Sequence, residues 1–156
     1  MRAAFHAAAV LAAILLGAAA LQAQPASDGV ATAGGLTAYL GVMPAEIVKG
    51  HPSSHPEGAM HDGAPKGAHE YHVVIAIFDA VSGARVSDAT VTAKISGLGL
   101  SGPEKPLEPM VIADTITYGG FFELPGADLY TVRATIKRSG SQAPVVLDFK
   151  YDHRSR

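Results

Sequence analysis

Ala89-Thr90-Val91-Thr92-Ala93-Lys94-Ile95-Ser96 decides the fold class. Val91, Ala93 and Ile95 alternate with Thr90, Thr92 and Lys94, and a period of two is the mark of a strand with one face buried and one face wet. The same pattern returns at Tyr130 to Lys137, with Val132, Ala134 and Ile136 on one face, and again where Val145, Leu147, Phe149 and Tyr151 line the inner face of a last strand. Upstream, Tyr71 to Phe78 is almost continuously apolar and reads as a central strand. Leu36, Ala38, Leu40 and Val42 alternate through a first strand that ends at Pro44, and Ala45 to Lys49 continues as a short second piece. Glu108 to Thr117 and Tyr118 to Leu124 read as two further strands broken at Gly119-Gly120, after a Gly/Pro-rich connection from Gly97 to Pro106. Turn residues punctuate these segments at roughly ten-residue intervals, and no helical period or fixed repeat competes with them. The expectation is an all-β chain, an antiparallel immunoglobulin-like β-sandwich of about seven strands.

Working outward, the N-terminus is a different material. Arg2 precedes an unbroken apolar run from Ala7 to Leu16, and Leu21-Gln22-Ala23 offers a small residue for cleavage. This is the secretory pattern, and the run is too short to span a bilayer comfortably. Residues 1–23 are therefore expected to be a signal peptide, 24–35 a flexible linker, and 36–156 the sandwich, with a His/Met-rich loop at 50–70. The expected location is the periplasm, as a soluble exported protein. The 156-residue chain holds 12 Lys+Arg against 14 Asp+Glu, and residues 1–23 remove only Arg2 from the basic side. A mildly acidic chain without a basic stripe makes nucleic acid an unexpected partner. There is no cysteine. Disulfides, thiolate zinc sites, cysteine-ligated iron–sulfur clusters and a lipid-attachment thiol are all excluded, so any metal must be held by His, Met, carboxylate or backbone oxygen.

Chemistry concentrates just before the central strand. Five of the seven His are His51, His55, His61, His69 and His72, and Met60 sits beside His61. Neutral imidazole is the commonest protein ligand for metals, and a thioether selects soft Cu(I). Gly50 to Ala68 also holds several Pro and Gly, so it reads as a long loop able to fold several donors around one ion. His69 and His72 stand three apart and converge only where the chain is irregular at His69. Met110 joins the candidates because Pro109 interrupts pairing just before it. Met43 and Met60 also suit packing, the commonest role of methionine. His153 continues the inward parity of Phe149 and Tyr151 and reads as a cap on the core. The metal-ligand set is thus His51, His55, Met60, His61, His69, His72 and Met110, and the ion is copper, with zinc or iron as the others that Glu57, Asp62 and Glu70 would tolerate.

No Gly-x-Ser-x-Gly elbow and no phosphate loop occurs, so an enzyme is not expected. The expected function is copper binding or delivery, with the ion and a membrane-bound or periplasmic metal-receiving protein as partners and no membrane span after cleavage. The alternative is a metal-free accessory or assembly module acting through protein–protein contact, at a sheet edge or at Phe121-Phe122.

Phe78-Asp79-Ala80-Val81-Ser82-Gly83-Ala84-Arg85-Val86-Ser87-Asp88-Ala89-Thr90-Val91, with the later Gly126-Ala127-Asp128-Leu129-Tyr130-Thr131-Val132, resembles the small exported immunoglobulin-like domains of the FixH/YtkA-like group over about residues 71–137. That resemblance implies a β-sandwich and an association with copper handling or oxidase assembly. It supplies no ligand set for these positions, and the stretch from Gly50 to His72 lies outside the shared pattern.

Overall fold

The computed structural model describes residues 29–49 and 67–154, without the side chains of 48 and 49. Residues 1–23 and the sequence candidates His51, His55, Met60 and His61 lie outside the described residues. In chain order the elements are β1 (Val30–Ala33), β2 (Leu36–Pro44), α1 (Ala45–Lys49), β3 (Glu70–Asp79), β4 (Ala89–Gly97), β5 (Leu100–Ile112), β6 (Thr115–Glu123), β7 (Leu129–Arg138) and β8 (Val145–Asp152). Every ladder is antiparallel.

The described residues are all-β apart from the short helix α1, but they do not form a seven-stranded immunoglobulin-like sandwich. Eight strands run in one hydrogen-bonded order, β1-β2-β3-β6-β5-β4-β7-β8. The two ends of that order, β1 and β8, pack on each other, so the sheet closes almost into a barrel. Closure disposes of the exposed sheet edges that two open sheets would present. Three sequence expectations fail for identifiable reasons. The second half of the stretch read as linker is β1, too short and too small in its side chains to show a period. Ala45 to Lys49 is helical, after Pro44 ends β2.

The largest correction is β5. Pro103 and Pro106 read as part of a connection, yet both lie, with Pro109, within a thirteen-residue strand. Leu100 to Leu107 pairs only with β4, and Glu108 to Ile112 pairs only with β6. At every position one edge of the strand is therefore outside a ladder, which is where proline is tolerated. By switching partners β5 joins the two halves of the molecule. The β5–β6 hairpin turns at Ala113 and Asp114, whose φ angles of 49° and 59° are left-handed without the help of glycine.

The inward face buries Leu36 and Ala38 from β2, Val73, Ile75 and Ile77 from β3, Val91, Ala93 and Ile95 from β4, and Val132, Ala134 and Ile136 from β7, with Leu147 and Phe149 from β8. Outside β3, which reads as a continuous apolar run, these are the period-two residues of the sequence. Tyr118 and Tyr130 are also buried, and each phenol is satisfied: Tyr118 Oη accepts from the Ala89 N–H at 3.0 Å, and Tyr130 Oη donates to the Pro125 carbonyl at 2.8 Å. Burial raises the Tyr130 phenol above its ordinary range, with Asp128 and Tyr71 adding to it. The β3–β4 turn is fixed by Asp79, whose carboxylate accepts from the N–H groups of Val81 and Ser82 and the Ser82 hydroxyl, and these bonds lower its pKa.

Candidate metal centre

The site lies on the opposite face of the sheet from the core. In β3 the residues His72, Val74, Ala76 and Phe78 alternate with the core residues Val73, Ile75 and Ile77, so parity alone puts His72 on the outer face. Register then assembles its neighbours. His72 stands between Met43 of β2 and Phe121 of β6, and Val74 stands beside Gly119. Gly119 faces Glu108 of β5, and Met110 faces Thr117.

His72 is 0% exposed and Met110 is 4% exposed, yet neither belongs to the core cluster. Both are buried on the outer face, where strands are ordinarily polar and wet. Their meeting point is Gly119. A Cβ at that position would lie 2.8 Å from His72 Nε2, 3.2 Å from Met110 Sδ and 3.0 Å from Met110 Cε. An imidazole nitrogen and a thioether sulfur therefore reach over the same bare stretch of backbone, in space that any other residue would fill. Phe121 stacks on the His72 ring at 4.8 Å between centroids and 30° between planes, closing one side. Thr117, 5% exposed, sits next along β6, and its hydroxyl accepts from Arg85 Nη2 at 2.8 Å.

The structure thus brings together two of the seven sequence candidates, His72 and Met110. Met110 is buried but outside the core cluster, so core packing does not account for it. His69 is exposed in the turn before β3, where its carbonyl accepts from the Leu124 N–H. Met43, set aside as a packing residue, stands directly opposite His72. His153 caps the core end as expected: its Nδ1 bonds the Gly126 carbonyl at 2.9 Å and its Nε2 the Tyr71 hydroxyl at 2.8 Å, with Tyr151 stacked on the ring. Among the described residues no cluster of three or more His, Cys, Asp or Glu is placed to hold a metal. Phe122 is buried inward, while Phe121 covers His72 and so does not offer the free aromatic surface imagined for a protein partner.

No family model and no curated protein matches the chain. Solved structures do. A copper-bound variant of FetP from uropathogenic Escherichia coli superposes with a TM-score of 0.58 at 14% identity, covering 85% of this chain and 97% of that one. FetP as isolated after expression in the E. coli periplasm gives 0.57 at 17% identity, covering 84% and 97%. A DUF4426 family protein of Pseudomonas aeruginosa gives 0.55 at 14%, covering 80% and 96%. At these identities the likeness establishes a common fold over nearly the full length of each neighbour. Among the described residues no helix is long and apolar enough to cross a membrane.

One imidazole nitrogen and one thioether sulfur, both withdrawn from water, fit a soft ion of low coordination number. They are poor donors for a hard ion that prefers several oxygens. Of the ions considered, copper as Cu(I) is the one whose chemistry such a donor pair would suit, and His72 and Met110 are the residues that would hold it.

Proposed function

We propose that the protein binds copper at the His72–Met110 pair and serves as an exported, non-enzymatic copper-binding or delivery protein of the periplasm. The observation that carries the reading is the convergence of Nε2 and Sδ over Gly119 on the face of the sheet that the core does not use. Three further points support it. The N-terminus has the secretory pattern, the cysteine-free composition leaves His and Met as the soft donors, and a protein sharing the fold has been obtained with copper bound. Two donors hold an ion loosely enough to surrender it to a partner that offers more, which suits delivery better than storage. His51, His55, Met60 and His61 add soft donors to the same chain and would raise the number of ions it carries.

The test is a titration of the secreted chain with Cu(I), Cu(II) and Zn(II) against a competing chelator. The double substitution His72→Phe with Met110→Leu keeps volume and removes both donors. A second variant changes His51, His55, His61 and His69 to Ala. Stoichiometric copper binding, weakened at least tenfold by the first variant with the thermal transition retained, supports the reading. Binding lost only in the second variant places copper in the His-rich segment, and binding by neither protein refutes a metal role.

A further inference from the structure

We infer that Arg85 is a charge filter for this site, making it select monovalent Cu(I) over divalent ions; this deepens the copper reading and rests on it. Arg85 follows the β3–β4 turn and lays its guanidinium across β6. Nε donates to the Ile116 carbonyl at 2.8 Å, and Nη2 donates to Thr115 Oγ1 at 3.1 Å and to Thr117 Oγ1 at 2.8 Å. The group also lies 4.7 Å above the centre of the Phe78 ring. A guanidinium held by three hydrogen bonds and a ring cannot swing away from an approaching cation, and it never loses its charge. It is anchored to Thr117, the register partner of Met110 and one outward-facing position along β6 from Gly119.

Other charges share the face. Glu70 and Glu123 pair across β3 and β6 beyond His72 and Phe121, and Glu108 stands opposite Gly119. Lys105 Nζ bonds the Phe121 carbonyl at 3.2 Å. Glu108, Glu123 and Lys105 are exposed and well screened by water, while Glu70 is half-buried and offsets part of a cation's field at the His72 end. Arg85 is half-buried and fixed, so its field reaches the site more fully. That field opposes any cation, and the opposition is proportional to the ion's charge. A divalent ion therefore suffers twice the free-energy penalty of a monovalent one, whatever the distance or dielectric.

The proportion is the test. Ag(I), a redox-inert stand-in for Cu(I), and Zn(II) are titrated into the full secreted chain as wild type, Arg85→Gln, Arg85→Met and Arg85→Lys, with circular dichroism checking each fold. Removing the charge is expected to raise Ag(I) affinity about threefold and Zn(II) affinity about tenfold, a ratio of about two in the logarithms. Arg85→Lys, which keeps the charge, is expected to leave both within about twofold. Equal gains for the two ions, no gain in either neutral variant, or an Arg85→Lys that behaves like Arg85→Gln overturns the charge filter while leaving the copper site standing. A wild type that binds neither ion overturns the site and the filter together. Should Arg85→Gln unfold, Arg85→Met against Arg85→Lys gives the same comparison.

Discussion

A methyl group at position 119 would sit 2.8 Å from His72 Nε2 and 3.0 Å from Met110 Cε, closer than side chains pack without moving. The glycine thus belongs to the proposed site through the volume it leaves open, and substitution there would push the imidazole and the thioether apart. Gly119→Ala is expected to weaken copper at least tenfold while costing about 1–3 kcal/mol of stability, the usual range for overpacking. Chelator competition and a thermal melt measured side by side check it; unchanged affinity would show that the two donors do not act on one ion. At this scale the sequence is half legible. His72 and Met110 declare themselves by type. Gly119 does not, because a Gly-Gly pair inside an apolar run reads as a break, and only register reveals what approaches it. Arg85 is equally silent, since its partners on β6 lie some thirty positions away.

Among the elements, those with a clean period are legible to within a residue or two. β4, β7 and β8 begin and end almost where the alternation does, because each packs one face on the core and the apolar pattern follows the pleat, and β3 is bounded almost where its apolar run is. β5 is illegible for a physical reason: its prolines are harmless only because the strand changes partners midway, and that is a fact of tertiary structure. The β5–β6 turn is hidden in the same way. Ala113 and Asp114 both take positive φ, a conformation that sequence ordinarily signals with Asn-Gly. It follows that Ala113 is strained. Ala113→Gly is expected to stabilise the protein by about 0.5–1 kcal/mol, the relief of a left-handed alanine less the added freedom of the unfolded chain. A rise in the denaturant midpoint at constant slope would show it; a fall would mean that the turn is not strained. The hairpin carries both Met110 and Gly119, so its rigidity bears directly on how closely the donors are held.

For the whole molecule, the all-β class is legible from patterning, whereas the strand count and the near-closure are not. Closure depends on β1, four small residues within what reads as linker, meeting β8 at the far end of the order. The barrel-like wall leaves the inner face to the hydrophobic core and frees the outer face to carry His72 and Met110. The central claim is that these two side chains take up one ion together. Its most direct measurement is a nuclear magnetic resonance titration of the secreted chain with Ag(I), following the Met110 methyl and the His72 ring nitrogens. The account predicts that both sets of signals move in step and saturate at the same equivalent of silver. Silver bound tightly while the Met110 and His72 signals stay still would contradict it, and would move the metal to the His-rich segment.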